Sequence, residues 1–274
     1  LCFKHITYDV KIGGVSKSST VEMNVKLDCD LHIHSVASGH AFNTIDEIIN
    51  YSSENGYKII GISDHGPDME GAPHAGYFEC LYRLPKEKNG MKILYGCEAN
   101  IINELGEIDL PDSTIAGLDY VMAGLHKRTS YMCNDCSINT KSILAAIESH
   151  KIDIITHPIS INYMIDPVAV VEAAANNNVI LEMNKSVLIS AINLKNDYVI
   201  AQIKSLYEYA VSIDAKLILG SDAHYITEIG ISQYEADLIQ NTYSISINNM
   251  LNVNPKQLLS TLIELKSKRG FTNE

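Results

Sequence analysis

The residues of this chain that could do chemistry are mostly histidines placed directly after short apolar runs. Imidazole nitrogens and carboxylate oxygens are the usual ligands of Zn²⁺, Mn²⁺ and Fe²⁺. Eight positions share this placement, namely His32, His34, His65, Glu98, His126, His157, Asp222 and His224, and a ninth candidate, His40, lies in the loop after the first run. One histidine alone is more often structural, but clustered buried imidazoles are unfavourable unless a cation binds their lone pairs. The pattern predicts a metal site, and His5 and His150 fall outside it.

The spacing within two of these motifs has a geometric meaning. His32 and His34 are two residues apart at the end of one apolar run, and Asp222 and His224 are two apart at the end of another. Alternate residues of a strand point to the same side. Each pair is therefore expected to face a single volume.

The elements that must position these side chains are strands and helices in alternation, which is typical of βα units. Strands are predicted over residues 26–33, 58–63, 92–97, 120–125, 152–156, 179–183 and 216–220. A capping box, Thr44-Ile45-Asp46-Glu47, opens a helix that runs to Asn55. Further helices are predicted over 140–150, 167–176, 198–213 and, capped by Asn254, 255–268. Because the carboxyl ends of parallel barrel strands converge on one face, the sequence predicts an α/β barrel with one site there.

Residues 1–22 differ from the rest, since they are polar and without clear periodicity. We expect them to be an N-terminal extension outside the core, and 23–274 to form a single domain. A short edge hairpin over 6–12 and 21–27 is the alternative. No stretch approaches the roughly 18 apolar residues of a membrane span, and no signal pattern is present. A cytoplasmic location is expected.

The net charge of −12, from 21 basic and 33 acidic residues, bears on the partners. Nucleic-acid binders usually present a basic face to phosphates, so the charge argues against long polynucleotides. Bound metal ions would supply the local positive charge that a small anionic substrate needs. Cys133 and Cys136 form a C-x-x-C pair without a second pair, which is a weak zinc or redox signal or a loop with two free thiols.

The motifs together resemble those of the PHP (polymerase and histidinol phosphatase) superfamily, and most of all the bacterial YcdX-type phosphatases. Beyond the nine positions, the resemblance rests on longer strings at 35–41, 64–70 and 96–101 and extends from about Lys26 to the C-terminus. It implies a distorted barrel of seven strands and seven helices, and three divalent metal ions, zinc first, with manganese or iron as alternatives. One departure is the basic segment Lys127-Arg128-Thr129-Ser130, where a neutral or acidic stretch is expected.

The resemblance also implies how the ligands are shared. His32, His34, Glu98 and Asp222 would hold the first ion, Glu98 would bridge to a second ion held with His126 and His157, and the third would bind His40, His65 and His224. A metal-activated hydroxide would then hydrolyse small phosphomonoesters, with Glu98, Asp222 and His32 as the catalytic residues. A nuclease or oligonucleotide phosphodiesterase is the alternative, and a non-catalytic metal-binding regulator is the third hypothesis.

Other side chains are candidates for supporting roles. Asp30 and Asp64 adjoin ligands and would either orient imidazoles through the second ring nitrogen or cap the following loops. The sixth strand carries no predicted ligand, which leaves its end, with Lys185, open to substrate. Together with Lys185, the candidate substrate contacts are His74, Arg83, Lys127 and Arg128.

Overall fold

A computed structural model describes residues 27–132 and 135–269 of the chain. The predicted extension over 1–22, the alternative hairpin and Cys133 lie outside the described residues. Cys136 is the first residue of a helix rather than part of a loop. Within the described ranges no helix is long and apolar enough to cross a bilayer. The single domain over 23–274 and the cytoplasmic location stay predictions.

The core of the fold is a sheet of seven parallel strands that curls into a nearly closed barrel. The strands are β1 (Cys29–Ile33), β2 (Ile59–Ile62), β4 (Met91–Asn100), β5 (Tyr120–Gly124), β6 (Ile154–Ile155), β7 (Ile180–Asn184) and β8 (Leu217–Gly220), adjacent in that order. A two-residue strand, β3 (Glu87–Lys88), pairs antiparallel with β4. The predicted barrel and its seven strands are confirmed, with boundaries that differ by one to three residues.

The barrel closes between the first and last strands, just past the end of β8. There the amide of His34 donates to the carbonyl of Ala223 at 2.9 Å, and the amide of Ala223 donates to the carbonyl of His32 at 3.2 Å. Ile33 and Ala223 form an isolated parallel bridge. The seam of the barrel, residues 32–34 with Ala223, therefore contains predicted metal ligands.

Two apolar clusters stabilise the barrel from outside and inside. The larger packs the outer faces of the strands against the surrounding helices, as with Ile60 and Ala123. The smaller joins residues from six strands around the barrel, among them Leu31 and Ile218, to Leu258, Leu262 and Leu265 of the last helix. Such a set can meet only inside the barrel. Each of these buried leucines contributes about 1.5–3 kcal/mol, so this end of the barrel is filled and the opposite end is left for the site.

Nine α-helices surround the strands in the described residues, two more than the resemblance implied. They are α1 (Ile45–Glu54), α2 (Ala75–Glu79), α3 (Asp112–Gly117), α4 (Cys136–Glu148), α5 (Pro167–Asn177), α6 (Lys185–Asn193), α7 (Asp197–Ser212), α8 (Gln233–Tyr243) and α9 (Pro255–Lys268). The capping box of α1 and the Asn254 cap of α9 are as predicted. Helix α4 begins four residues before its predicted start because the Asp135 side chain accepts the amide of Ile138 at 2.9 Å.

Candidate metal centre

The nine predicted ligands converge at the end of the barrel where the strand carboxyl ends meet. The innermost are fully buried, as with His32 and Glu98, whereas His40 at the mouth is exposed. Three groups of ligand atoms lie within 4.8 Å of one another: His32 with His34 and Asp222, His65 with Glu98 and His126, and His34 with His65 and His224. The first group matches three of the four residues expected for the first ion. His65 also reaches Glu98 and His126, which the predicted grouping did not include.

Glu98 is the central carboxylate of the cluster. Its oxygens lie within 3.3 Å of a ring nitrogen of each of His32, His34, His65, His126 and His157. Burial disfavours its ionised form, but the surrounding imidazoles, His32 and His126 first, outweigh burial and hold the Glu98 pKa well below its usual value. Glu98 does not end its strand as predicted, because β4 continues in register with β5 to Asn100. A bridging role would thus fall to a residue fixed on both sides by strand pairing.

The inner histidines have their tautomers set by hydrogen bonds. Nδ1 of His34 lies 2.9 Å from Oγ of Ser38, whose proton is donated to Asp64 Oδ1 at 2.7 Å. Since Ser38 can then only accept, His34 must donate from Nδ1, and its Nε2 lone pair faces the cluster. The same holds for His224, whose Nδ1 lies 3.0 Å from the carbonyl of Asp222.

The remaining ligands form the rim of the cluster. The ring centroid of His40 lies 4.9 Å from that of His65 and 4.8 Å from that of His224, and both pairs are stacked. His157 and Asp222 have positive φ angles of 27° and 57°. A non-glycine residue held there is strained by about 1–3 kcal/mol. The backbone therefore accepts strain to direct these two side chains inward.

The arrangement of lone pairs tests whether the cluster fits metal ions. Nε2 of His32 and Nε2 of His34 lie 3.1 Å apart, and those of His126 and His157 lie 3.0 Å apart. Two lone pairs at such distances repel unless a proton or a cation lies between them. In addition, Nδ1 of His126 is buried without a hydrogen-bond partner, and Nδ1 of His65 lies 2.9 Å from Oε2 of Glu98. The donor set fits divalent ions such as Zn²⁺.

The electrostatics of the cluster favour cations. Burial disfavours the imidazolium of His34, but hydrogen bonds to Asp222 and Glu98 outweigh it and raise its pKa to about 9. Burial, with the nearby His34, lowers the pKa of His65 to about 3. The carboxylates thus attract positive charge to the centre, while burial keeps His65 neutral and able to offer a lone pair.

Sequence reasoning missed Glu182 on β7. Its Oε1 lies 2.6 Å from Nδ1 of His32, and its Oε2 accepts the backbone amide of His157 at 2.8 Å. The imidazole of His32 contributes to lowering the pKa of Glu182 against the effect of burial. Glu182 orients one ligand and anchors the backbone of another. The available signal was a lone carboxylate inside the apolar run Ile180-Leu181-Glu182-Met183.

The two aspartates proposed to orient imidazoles have different roles. Asp64 acts on His34 through Ser38, and it also accepts the Tyr77 hydroxyl at 2.6 Å. Asp30 accepts the backbone amides of His32, Ser221 and Gly230 at 2.8–3.3 Å. It therefore fixes backbone around the ligands, which is the loop-capping alternative.

An open cavity of about 450 Å³ lies over the cluster. Two of the five candidate substrate contacts line this cavity, and three do not. Lys127 and Arg128 line it, together with Ser160 and Asn162. The other candidates are not among its lining residues. His74 precedes α2, and Arg83 stacks on the exposed ring of Tyr82.

Lys185, the last of these candidates, is buried at the start of α6. Its Nζ donates to the carbonyl of Glu228 at 2.5 Å and lies 3.6 Å from Glu235. It joins α6 to α8, and the structure does not bring it to the cavity.

The chain is similar in sequence to bacterial proteins named probable phosphatase. A probable phosphatase of Syntrophotalea carbinolica is 34% identical over 242 residues, which cover 88% of this chain and 94% of that protein. The probable phosphatase YcdX of Escherichia coli is 38% identical over 234 residues, covering 85% and 93%. The PHP domain model matches residues 30–156. The chain belongs to the PHP family.

Membership of the PHP family confirms the resemblance found in the motifs. The relatives carry the name probable phosphatase, which agrees with the predicted hydrolase of phosphoric esters. Among solved structures, histidinol phosphate phosphatase of Lactococcus lactis, complexed with zinc, L-histidinol and phosphate, is similar with a TM-score of 0.52. It is 14% identical, and the match covers 78% of this chain and 93% of that one. This likeness supports the PHP fold.

Proposed function

We propose that this PHP protein is a metal-dependent phosphatase that hydrolyses small phosphomonoesters at a centre of three divalent ions, with zinc first and manganese or iron as alternatives. The observation that carries the proposal is the position of Glu98 among five imidazoles, beside Asp222 and below an open cavity. A carboxylate so placed can bridge two ions.

The ligand assignment we propose keeps the predicted grouping and extends it. His32, His34, Glu98 and Asp222 would hold one ion, Glu98 with His126 and His157 a second, and His40, His65 and His224 a third. The proximity of His65 to Glu98 and His126 makes His65 a possible ligand of the second ion as well. When bound, such ions lower the pKa of water and offset charge on phosphoryl oxygens.

The residues of the chain would bind and orient the ester. Lys127 and Arg128, on the wall of the cavity, are placed to meet the phosphate, and Glu70 lines the same wall. The amide of Glu70 donates to the Arg128 carbonyl at 3.3 Å, and Asp68 accepts the Ser130 hydroxyl at 2.6 Å. These bonds hold the basic segment against the loop after β2, so that its side chains stay at the cavity.

The nuclease alternative has less support from the surface. Lys127 and Arg128 are the cationic residues lining the cavity within the described ranges, whereas a polynucleotide needs an extended basic stripe. The non-catalytic alternative is disfavoured because each of the nine predicted ligand positions carries a His, Glu or Asp residue.

The test is phosphate release by metal-reconstituted protein from a panel of phosphomonoesters and from a short oligonucleotide. Asp222→Ala should abolish turnover, while Asp237→Ala, an exposed aspartate on α8, should not change it. Cleavage of the oligonucleotide alone would replace the proposal with the nuclease alternative. No turnover on either would favour the metal-binding regulator.

A further inference from the structure

A second cleft adjoins the metal cavity. It has a volume of about 230 Å³ and shares Ser160, Asn162 and Val187 with the cavity. An ester whose phosphate lies over the metal cluster can therefore extend into the cleft without leaving the protein surface. The cleft is bounded by the loop after β6, by α6 and by the start of α7.

The position of the cleft relative to the ligands is fixed by Asn184. This residue is the last of β7 and the N-cap of α6, where its Oδ1 accepts the amide of Val187 at 3.0 Å. Its Nδ2 lies 3.3 Å from Oδ2 of Asp222. The wall of the cleft formed by α6 is thus connected to a metal ligand through one side chain.

The cleft is lined by uncharged polar groups and aliphatic side chains. Ser186, Ser190 and Leu194 follow one another at four-residue spacing, and so lie along one face of α6 and its end. Ser160 and Asn196 lie on the opposing segments. No lining residue of this cleft in the described part of the chain carries a charge.

The hydrogen bonds already made limit what the polar groups can do. Oγ of Ser160 accepts the amides of Asn162 and Tyr163 at 3.3 and 3.1 Å, so its own proton is left to donate. Ser186 and Ser190 are exposed on the wall. Hydroxyl groups, which donate and accept, are suited to another alcohol. An ammonium group would lose hydration without gaining a carboxylate partner.

From these observations we infer that the cleft is the subsite for the leaving group, and that it selects phosphomonoesters of uncharged polyols over those of amino alcohols. The inference rests on the proposed phosphatase function and names the class of its substrate. The phosphate would lie at the metal cluster beside Lys127 and Arg128, and the carbon chain would extend along α6 with its hydroxyls against the serines.

The experiment compares kcat/KM for sorbitol 6-phosphate, glycerol 1-phosphate and 2-amino-2-deoxysorbitol 6-phosphate, which has the chain length of the first and carries an ammonium group. Wild type should prefer sorbitol 6-phosphate to the amino ester. Ser190→Trp, which fills the cleft, should lower kcat/KM for sorbitol 6-phosphate about tenfold, the size of effect that pocket changes produce. It should leave the shorter glycerol ester nearly unaffected. Ser260→Trp, at an exposed serine on α9, is the matched control and should change neither.

A second variant keeps the inference testable if Ser190→Trp does not fold. Leu194 is 71% exposed at the cleft, so Leu194→Glu should be tolerated and should add the missing carboxylate. It should raise the ratio of kcat/KM for 2-amino-2-deoxysorbitol 6-phosphate over sorbitol 6-phosphate up to about fivefold, as an exposed ion pair allows. If Ser190→Trp folds and turns over the esters with unchanged selectivity, the subsite is overturned but the proposed phosphatase function is not. If only Leu194→Glu folds, unchanged selectivity in that variant has the same meaning. Absence of turnover on every ester would overturn the proposed function as well.

Discussion

The carboxylate of Glu182 lies 2.6 Å from Nδ1 of His32, and both side chains are fully buried at the centre of the barrel. This contact leaves Nε2 of His32 as the lone pair that faces His34 and Glu98. It also joins β7, the strand without a ligand of its own, to the first ligand of the chain. Removing it should affect ion binding before it affects the fold.

Glu182→Gln should weaken metal binding because an amide orients the imidazole less firmly than a carboxylate. Loss of such a partner typically reduces metal affinity about 10–100-fold. Metal titration followed by calorimetry would measure the change, with Glu208→Gln, an exposed glutamate on α7, as control. Unchanged affinity with a normal fold would show that Glu182 only fills space.

Gly220 at the end of β8 is predicted to be irreplaceable because it packs against the contact between Glu182 and His32. A Cβ at this position would collide with Oε1 of Glu182 and would lie 2.9 Å from Cβ of His32. Gly220→Ala should therefore displace the pair and reduce metal content, while Gly117→Ala, where an added Cβ meets nothing within 4 Å, should not. Metal content by elemental analysis distinguishes the two.

Removal of the ions should destabilise the protein. A ligand present at a hundred times its Kd adds about 2.7 kcal/mol to the free energy of unfolding. For a chain of this size each kcal/mol shifts Tm by roughly 2–4 °C, so a chelator should lower Tm by several degrees. The shift should be smaller in His32→Ala, which lacks a ligand. An equal shift in both proteins would argue against binding at this cluster.

Arg128 and Arg83 make a matched pair for the phosphate contact. Arg128 lines the cavity, and Arg83 lies against Tyr82 away from it. Arg128→Ala should raise KM about tenfold, corresponding to one charge-assisted hydrogen bond, whereas Arg83→Ala should leave KM unchanged. Steady-state kinetics on one phosphomonoester would measure KM for both variants. Equal effects on KM would show that Arg128 does not contact the phosphate.

Asp153 should make stability fall as pH rises through the mildly acidic range. Burial raises its pKa from 3.8 to about 6, although Arg269, 3.3 Å away, acts in the opposite direction. A raised pKa means that the folded state holds the proton more tightly than the unfolded state. Its contribution is therefore complete below pH 3.8 and is lost as pH approaches 6, a change of about 3 kcal/mol.

The measurement is urea unfolding of wild type and Asp153→Asn between pH 4 and 7, with chelator present. The unfolding free energy of wild type minus that of Asp153→Asn should decrease as pH rises, because Asp153 loses its proton. The other titrating groups are common to both proteins, so their contributions cancel. Asp112→Asn, at an exposed aspartate, should show no such trend. A difference that grows with pH would mean that the ion pair with Arg269 dominates.

The sequence predicted the parts of the structure that periodicity and residue type encode. Apolar runs located all seven barrel strands, and the nine predicted ligands lie together at one end of the barrel because the barrel brings strand ends together regardless of loop detail. Helices α2 and α3 were missed because they are five and six residues long, too short for a helical period to be visible. Helix α8 was also missed, although Ser232 and Glu235 form a capping box at its start. Helix α6 was missed because it follows β7 with no loop, Asn184 ending one and capping the other.

Long-range pairing of charged groups lies beyond such reasoning. Lys185 follows a strand, as a substrate contact should, yet its ammonium contacts the carbonyl of Glu228 and the carboxylate of Glu235. The residue begins α6, a helix that the sequence did not indicate. Glu182 pairs with a residue 150 positions away. Neither partner is implied by local spacing, because each depends on which elements become neighbours.

The seam of the barrel passes through four of the predicted metal ligands, since the backbones of His32 and His34 are bonded to Ala223, between Asp222 and His224. Any fluctuation that separates the first strand from the last must also pull these four side chains apart. Opening of the barrel would therefore separate the predicted ligands of a bound ion, and the amides of His34 and Ala223 should exchange their hydrogens more slowly as the free ion concentration rises.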